Sequence, residues 1–320
     1  MAIYEIGIMA RATWNLHSLN NEGTVGNVTE PRTIVLADGS KTDGISGEML
    51  KHIHSYALWE IEENKEQNFC EACRILKPYR ANWEKVVIEG KGKGKKTEED
   101  IIKVVKGALT KCELCDLHGF LVENPPTSRS SCIEFGWALG IPEIQDTPTI
   151  HRDIHLHTRV EPGLKAKQEG GQEEGEEAQR TAQTIFHRPT RSGVYAVISV
   201  FQVWRLGRND VNCEYVDGID RKHRYQLALK AYQTMFLRPE GAMTATRLPH
   251  TEDFNGVIVY SETNQPVPVI SPLKDDYINE LKQIQEKLGN GKIKLVEFNG
   301  LADFVEKLNE LIEQEPYRIS

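Results

Sequence analysis

Two strand–helix units lie far apart in this chain, and they constrain its fold more than any other sequence feature. The first has alternating apolar residues over 4–16, followed by a helix that begins after Ser46. The second has a strongly apolar β segment over 193–206, followed by a helix capped by Asp220. The two units are predicted to pair into one sheet with the rest of the chain inserted in it. This arrangement predicts an α+β fold with split βαβ, or ferredoxin-like, topology.

Composition and the N-terminal sequence predict a soluble, cytoplasmic protein with no membrane partner. Of the 320 residues, 39% are hydrophobic and 27% are charged, which is typical of a protein with a real core. No apolar run approaches the roughly 18 to 20 residues of a membrane span, and the N-terminus lacks the pattern of a signal peptide. At this length, one large elaborated domain or two modest ones are expected.

Positive charge is concentrated in one part of an otherwise acidic chain. The net charge is −8, yet residues 184–250 hold 10 Lys and Arg against 5 Asp and Glu, a local balance of +5. Eight of those ten basic residues are arginines, whose guanidinium groups form paired hydrogen bonds with phosphate oxygens. This block predicts a local surface that binds nucleic acid.

Four of the six cysteines form two Cys-x-x-Cys pairs separated by 38 residues: Cys70 with Cys73, and Cys112 with Cys115. Four thiolates at this spacing can close a tetrahedral zinc site, so we expect a structural zinc ion that stabilises an insertion of low apolar content. The alternative interpretation is four unrelated buried thiols. A catalytic zinc is not expected, because a closed shell of four cysteines leaves no open position for water.

Two weaker motifs lie on either side of the second cysteine pair. Residues 86–97 imitate a phosphate-binding P-loop, but Lys95 stands where glycine is needed, so a flexible basic loop is the better interpretation. His151, His155 and His157 alternate along a predicted strand, which places their side chains on one face. They are expected to contact phosphate or a stacked base, with ordinary surface histidines as the alternative.

The richest group of candidate ligand residues lies in two arginine-containing segments, 186–193 and 238–250. Small residues at 241, 242 and 245 allow a backbone to approach a ligand closely, while arginines on either side supply positive charge. These are the properties of a groove that follows phosphates. The alternative is a helix C-cap followed by a solvated loop.

Short motifs spread in order over most of the chain resemble one known family. The motifs are Ser18-Leu-Asn-Asn21, Gly26-Asn-Val-Thr29 with Arg32, Ile45-Ser-Gly-Glu48, Cys115-Asp-Leu-His-Gly-Phe120, Arg191-Ser-Gly-Val-Tyr195, and Arg238-Pro-Glu-Gly-Ala242 running to Leu248-Pro249. Together they resemble the backbone subunit of type I CRISPR surveillance complexes (Cascade), the Cas-seven family, in its type I-A and DevR-like branch.

The resemblance implies a palm like an RNA-recognition motif, formed by residues 1–65 and 184–320, with inserted finger and thumb segments. The Cys-rich finger corresponds to residues 66–132. Residues 133–183 are expected to supply the histidine-containing strands and a mobile thumb or web loop. Copies of the subunit would stack head to tail along a guide RNA (crRNA), together with other Cascade subunits, and present the guide to target DNA in antiviral defence.

A subunit that holds guide RNA of any sequence is expected to bind phosphate and ribose and to leave base edges free. Ser46, at the start of a helix, suits a phosphate because unpaired N–H groups and the helix dipole point outward there. Met243 is a candidate wedge between bases. The candidate RNA contacts are Asn20, Asn27, Arg32, Ser46, Lys51, His157, Arg188, Arg191, Arg238, Met243 and Arg247.

Two other functions compete with this one. A related backbone subunit of type III complexes cuts target RNA with a loop aspartate, a role for which Asp38, Asp43 and Asp116 are candidates. The resemblance implies a non-catalytic subunit, because type I members of the family bind RNA and do not cut it. We also favour structural roles for the aspartates, because no metal-binding partner is evident beside Asp38 or Asp43 in the sequence. The other competing function is a DNA-binding transcriptional autoregulator that would act through the helix at 220–236.

Overall fold

The computed structural model of the protein describes residues 1–25, 28–82, 97–144, 147–165, 181–240, 246–288 and 291–319, with the backbone alone at 21–25, 28–31, 147, 156–165 and 181–188. The strands are β1 Ala2–Ile3, β2 Glu5–His17, β3 Asn21–Val25, β4 Val28–Pro31, β5 Thr33–Val35, β6 Lys41–Ile45, β7 Phe120–Glu123, β8 Pro126–Arg129, β9 Ile133–Phe135, β10 Ala138–Gly140, β11 Glu143–Ile144, β12 Thr147–Pro148, β13 His151–Lys165, β14 Thr181–Phe201, β15 His250–Ser261, β16 Ile293–Asn299 and β17 Glu315–Pro316. The helices are α1 Gly47–Ile61, α2 Lys65–Asn68, α3 Glu71–Arg74, α4 Glu98–Lys111, α5 Glu113–His118, α6 Arg221–Leu237, α7 Tyr277–Leu288 and α8 Leu301–Ile312, with short 3-10 helices at Arg80–Asn82 and Val203–Arg205. Helices and strands are mixed along the chain, so the fold is α+β.

The central sheet contains strands from both predicted strand–helix units. β2, from the first unit, lies between β14 and β15 and pairs antiparallel with both, so that Ala10 opposes Val197 on one side and Gly256 on the other. β16 extends the sheet beyond β15, while β9 and β10 pair with the far side of β14. The order across the centre is therefore β15, β2, β14, and then β9 and β10.

Helices α1 and α6 begin at the residues that the sequence predicts as caps. Ser46 Oγ accepts a hydrogen bond from the Met49 N–H (3.2 Å), and an Asp220 carboxylate oxygen accepts one from the His223 N–H (2.9 Å). The two helices contact each other, and their buried faces belong to one hydrophobic core with β2 and β14. This packing fixes the N-terminal end of α1 relative to the sheet.

The inserted residues 66–132 share their core with the sheet. α4 begins at a capping box in which Thr97 and Asp100 exchange hydrogen bonds. Phe69, Val104 and Leu117 are buried in the same hydrophobic cluster as the inner residues of β2. Low apolar content within the insertion is thus offset by packing against the rest of the chain.

The high charge of residues 162–182, without apolar periodicity, predicts a mobile surface loop, and the structure differs from this prediction at both ends of the segment. β13 continues to Lys165 and β14 begins at Thr181, and these two residues face each other in an antiparallel pair. Residues 166–180, which hold most of the charged run, lie outside the described residues. The strands extend into this segment because each supplies the other's backbone hydrogen bonds, a stabilisation that composition does not report. β14 is also longer than the predicted segment at 193–206, and the chain leaves it at Phe201 for a 3-10 helix.

The C-terminal elements follow the sequence prediction closely. The sequence pattern predicts a helix at 275–288, a strand at 292–298 and a second helix at 301–314, and the structure has α7, β16 and α8 there. β16 pairs with β15, and α8 contacts both α6 and β16. β16 therefore lies at one end of the strand order, beside β15.

Candidate functional site

Three of the predicted RNA contacts meet at the N-terminal end of α1. The Ser46 N–H donates a hydrogen bond to Asn20 Oδ1 (2.7 Å), and Arg191 Nη2 donates to the Asn20 carbonyl oxygen. Strand pairing brings them together, because Arg191 in β14 opposes His17, the last residue of β2. Asn20, Ser46 and Arg191 are called the Arg191 cluster below.

Ser18 connects the Arg191 cluster to a fourth predicted residue, Arg247. Ser18 Oγ donates to the Pro189 carbonyl oxygen (2.6 Å) and accepts from Arg247 Nη1 (3.3 Å). Both arginines are buried, with 1% of Arg191 and 8% of Arg247 exposed. The sequence prediction was an arginine-lined groove, whereas these two guanidinium groups lie below the surface and bind carbonyl and hydroxyl oxygens.

The described neighbours of Arg191 compensate its positive charge only in part. Arg191 Nη1 is buried and has no hydrogen-bond partner among the described residues. Asp43 acts on it electrostatically but is itself ion-paired with Arg152. Burial, and to a smaller extent Arg152, lowers the pKa of Arg191. The positive end of the α1 dipole lies at the same place, so this region favours an anion such as a phosphate group.

A neutral histidine, His17, lies opposite Arg191 in the pairing of β2 with β14. His17 Nδ1 accepts from the Leu19 N–H (3.4 Å), so His17 Nε2 carries the proton and donates to the Tyr195 hydroxyl oxygen (2.9 Å). Burial, together with the nearby Arg191 charge, holds the pKa of His17 well below its usual value. The His17–Tyr195 contact was not predicted, because only the β2–β14 pairing brings the two rings together.

Arg238 lies away from the Arg191 cluster. It follows the last residue of α6 and forms ion pairs with Glu60 and with Glu240 (2.7 Å). Glu60 is in the last turn of α1, so it lies roughly 20 Å along the helix axis from Ser46. Sequence reasoning placed Arg238 in one groove with Arg191 and Arg247, and the structure does not bring it to them.

The other candidate RNA contacts are dispersed. The Arg32 guanidinium lies over the Trp137 ring, 5.3 Å from its centroid, and Lys51 is half-buried on α1. For His157 and Arg188 the structure describes the backbone, which belongs to the β13–β14 hairpin. In the same hairpin, His155 Nε2 hydrogen bonds with Thr190 Oγ1 (2.9 Å). Asn27, Met243 and the P-loop-like residues before Thr97 lie outside the described residues.

The two Cys-x-x-Cys pairs meet in one buried group, called the cysteine cluster below. The sulfur atoms of Cys70, Cys73, Cys112 and Cys115 all lie within 4.8 Å of one another, and Cys115 Sγ is 3.9 Å from both Cys70 Sγ and Cys73 Sγ. Zinc–sulfur bonds of about 2.3 Å in a tetrahedron require sulfur–sulfur distances of about 3.8 Å. The donor set and the distances therefore fit a tetrahedral metal ion, and zinc is compatible with them.

Local structure explains how the cysteines converge. Cys70 immediately precedes α3 and Cys112 immediately precedes α5, and in each case the second cysteine of the pair lies in the first turn of the helix. The Cys115 N–H donates to Cys112 Sγ (3.4 Å). Such N–H donors stabilise thiolate charge, as in metal sites closed by two such pairs.

Comparison with known proteins identifies the family. The sequence profile described as "CRISPR-associated negative auto-regulator DevR/Csa2" matches residues 8–282 of this chain. The protein belongs to the DevR/Csa2 family. That match confirms the resemblance inferred from the dispersed sequence motifs.

Relatives of the DevR/Csa2 chain point the same way. A protein of Thermoproteus tenax described as "CRISPR-associated protein Cas7/Cst2/DevR" is 25% identical over 280 residues, which cover 82% of this chain and 76% of the relative. A chain of a solved "CRISPR RNA-guided surveillance complex" has a TM-score of 0.51 at 9% identity, covering 96% of this chain and 98% of its own length. A chain of a second such complex, "pre-nicking", has a TM-score of 0.53 at 12% identity, with 96% and 99% covered. The fold is therefore shared over nearly the whole chain.

Asp116, in one of the motifs that pointed to the DevR/Csa2 family, anchors the cysteine cluster to the rest of the protein. Asp116 is fully buried and binds Arg129 Nη2 through Oδ1 (2.6 Å) and Arg224 Nη1 through Oδ2 (2.8 Å). Asp116 Oδ2 also accepts from the Gly207 N–H (2.9 Å). Arg224 lies in α6, so this one carboxylate ties α5 to α6. Sequence reasoning missed Arg129 and Arg224, because their partner is distant in the chain.

The two other aspartates considered as catalytic also have structural partners. Asp43 is fully buried and accepts from Arg152 Nε (2.9 Å). Asp38 lies in an exposed turn, where the hydroxyl and the backbone N–H of Ser40 donate to it and lower its pKa. Neither joins a group of metal-ligating side chains among the described residues.

A buried histidine pair connects α1 to α5, the helix that also carries Cys115. His54 Nε2 donates to the Ala228 carbonyl oxygen (3.1 Å), which leaves His54 Nδ1 to accept from His118 Nε2 (2.9 Å). Burial lowers the pKa of His54 to about 3, and it also lowers that of His118. His118 is thus engaged in this pair.

No described helix is both long enough and apolar enough to cross a membrane.

Proposed function

We propose that the protein is the guide-RNA-binding backbone subunit of a type I CRISPR surveillance complex (Cascade). The observation that carries this proposal is the DevR/Csa2 family match over residues 8–282, a range that includes the cysteine cluster and the Arg191 cluster. The subunit binds crRNA, stacks head to tail with copies of itself, and contacts other Cascade subunits while the guide pairs with target DNA. It acts in the cytoplasm, and its six free cysteines suit such a reducing compartment.

The proposed palm is the ferredoxin-like, RNA-recognition-motif-like unit. From β2 to β15 the chain follows the series β2, α1, β9, β14, α6 and β15, which is the strand and helix alternation of that fold. Antiparallel pairing of β2 with both β14 and β15 supports the assignment. Residues 66–132 form the finger, and the β13–β14 hairpin within and beside residues 133–183 supplies the thumb or web.

The proposed ion in the cysteine cluster is one structural zinc per chain. Cys70, Cys73, Cys112 and Cys115 supply four thiolates, which complete the tetrahedral coordination of the ion and leave no position for a reactive water. A bound zinc ion holds α3 and α5 together and so stabilises the fold. We assign it no part in a chemical reaction.

The proposed RNA grip is centred on the Arg191 cluster. We propose that phosphate oxygens bind over the N-terminal end of α1 at Ser46, and that the buried Arg191 and Arg247 attract them through their positive charge. A filament that accepts any guide must recognise the backbone and not the bases. Asn20 orients the cluster through its bonds to Ser46 and Arg191. Arg32, Lys51, Arg238 and the hairpin residues His157 and Arg188 are proposed as peripheral contacts, and Asn27 and Met243 complete the set.

We propose that the subunit is not a nuclease. Asp43 and Asp116 are buried and bind arginines, which leaves their carboxylates engaged in the fold. The family description also contains the word auto-regulator, which keeps a DNA-binding regulator as the second candidate. For that role the helix at 220–236 would have to bind duplex DNA without guide RNA, but α6 buries Tyr225, Leu227 and Phe236 in the core.

The decisive experiment is purification of the protein from its native host, followed by sequencing of any bound nucleic acid. A uniform small RNA of CRISPR origin is expected. Recovery of duplex DNA with no such RNA would favour the regulator. The assembled complex is then incubated with complementary RNA and Mg²⁺, and cleavage at regular intervals would overturn the non-catalytic assignment.

A further inference from the structure

A basic cavity lies between α1 and the turn that follows the first cysteine pair. Its volume is about 460 Å³. α1 contributes Lys51 and His52 from one side, and the turn contributes Lys77 and Arg80 from the other. Glu48 is the acidic residue among those that line the cavity. Three permanent positive charges and one histidine therefore face a single carboxylate.

The positive charge in this cavity is not compensated by ion pairs. Among the described residues, Lys51, Lys77 and Arg80 form no salt bridge with a carboxylate, and Arg80 Nη1 donates to the Leu114 carbonyl oxygen (3.2 Å). Burial, followed by the nearby Arg80 charge, lowers the pKa of both Lys51 and His52, while Glu134 and Glu48 oppose this shift in part at Lys51. A bound anion would relieve this repulsion.

An exposed aromatic residue in the same turn as Lys77 and Arg80 indicates the class of anion. Tyr79 lies between the two basic residues of the turn, and 58% of its surface is exposed. Cationic side chains next to an exposed aromatic ring are typical of sites that bind single-stranded nucleic acid, where the charges hold phosphates and the ring stacks on a base. Lys51 lies five residues after Ser46, about 7.5 Å along the axis of α1, so the same helix contributes to the cavity and to the Arg191 cluster.

The cysteine cluster holds the turn that supplies Lys77 and Arg80. The Leu76 N–H donates to the Cys73 carbonyl oxygen (3.1 Å), and the Leu114 carbonyl that fixes Arg80 precedes Cys115 directly. Leu76 and Arg80 both have positive φ angles, 54° and 48°, which cost free energy for residues other than glycine. Such a turn persists only while its two ends are held in place.

We propose that this cavity binds a phosphodiester group of the RNA strand, and that the metal in the cysteine cluster is needed for that grip because it fixes the turn at Lys77 and Arg80. The inference rests on the proposed guide-RNA-binding function and adds a second, metal-dependent phosphate site to it. Tyr79 stacks on the adjoining base.

The test compares two double variants of the full chain with the same loss of charge. Lys77→Ala with Arg80→Ala removes the cavity side chains, while Lys103→Ala with Lys106→Ala removes two exposed lysines of α4. Binding of a synthetic single-stranded RNA is followed by fluorescence anisotropy from low to high salt. The slope of log affinity against log salt is expected to fall by about two for the cavity variant, and by much less for the control.

Metal removal, zinc addition and a phosphate control distinguish this inference from its alternatives. Removal of metal by a chelator is expected to reproduce the slope of the cavity variant, and zinc is expected to restore the wild-type slope. A thermal shift with inorganic phosphate alone, lost in the cavity variant while RNA affinity is kept, would assign the cavity to free phosphate and overturn the inference. Equal slopes for both double variants would overturn it too, leaving the proposed function intact, whereas no RNA binding by the wild-type chain would overturn the proposed function itself.

Discussion

The cysteine cluster and the Arg191 cluster are both buried and polar, but they differ in how completely the fold arranges them for a ligand. The four sulfur atoms already stand at distances that a tetrahedral ion requires. The guanidinium of Arg191 instead donates to a backbone carbonyl and keeps one buried nitrogen without a partner among the described residues. A metal site is thus defined by its own ligand atoms, whereas a phosphate site is defined by charge that its neighbours leave uncompensated.

Loss of one thiolate should have the largest effect. Cys112→Ser is expected to abolish metal binding, to lower the content from one zinc per chain to none, and to destabilise the fold more than any other single change. Structural zinc binds zinc-finger peptides with apparent free energies of about 10–16 kcal/mol at neutral pH. Elemental analysis and thermal melting measure both effects. Cys213→Ser is the matched control, since Cys213 is exposed; unchanged zinc content in Cys112→Ser would remove the distinction between the two clusters.

The second-largest effect is expected for substitution of Asp116, the carboxylate that anchors the cysteine cluster. Asp116→Asn is expected to lower the free energy of unfolding by about 3–5 kcal/mol, because it leaves the Arg129 and Arg224 charges buried without their anion. Chemical denaturation measures the change, with the exposed Asp217→Asn as control. A loss of RNA cleavage at unchanged stability would instead show that Asp116 is catalytic.

The buried histidine pair predicts a pH dependence of intermediate size. Because burial lowers the folded-state pKa of His54 to about 3, the native protein binds fewer protons than the unfolded chain between that value and about 6.5. Stability is therefore present above pH 6.5 and is lost as the pH falls, by about 2 kcal/mol at pH 5 for this group. Denaturation at pH 7.5 and pH 5 should show a smaller loss for His54→Gln than for wild type. The exposed His250→Gln should behave as wild type does; equal losses in all three proteins would contradict the assignment.

The smallest predicted effect is a difference between Arg191 and Arg238, whose positive charges are neutralised by their neighbours to different extents. Arg191→Ala is expected to lower the salt slope of RNA binding by about one, while Arg238→Ala lowers it by less, because Glu60 and Glu240 already neutralise Arg238. Salt titrations of RNA affinity measure both slopes, with Arg191→Lys as a variant that keeps the charge. A slope change for Arg238→Ala as large as that for Arg191→Ala would show that the carboxylates beside Arg238 do not reduce its contribution to RNA binding.

The sequence predicted the elements and the motifs with a fixed spacing, and it missed the partners of individual side chains. The spacing of Cys70, Cys73, Cys112 and Cys115 was sufficient for the cysteine cluster, and the caps Ser46 and Asp220 were sufficient for the starts of α1 and α6. Periodicity and capping act within a few residues, so they can be read along a chain. The same holds for the strand β2 and for α4, α7 and α8.

The ionic partners of the arginines could not be predicted in this way. Arg238 and Glu60 lie 178 residues apart in sequence, and Arg224 and Asp116 lie 108 apart. Which arginine is neutralised depends on how α1, α5 and α6 pack, and no spacing rule reports that. The basic residues Lys77 and Arg80 were passed over for the same reason, since their cavity exists only where their turn meets α1.

The hairpin of β13 and β14 has a mechanical consequence. Residues 191–201 of β14 pair with β2 at the centre of the sheet, while residues 181–190 continue outward paired with β13. Ten residues of strand extend about 33 Å. β14 continues through both parts, but its pairing with β2 shifts register between Arg191 and Gly193, where the hairpin meets the central sheet. Because a bulge bends a strand and increases its twist, these residues set the direction in which the hairpin leaves the sheet.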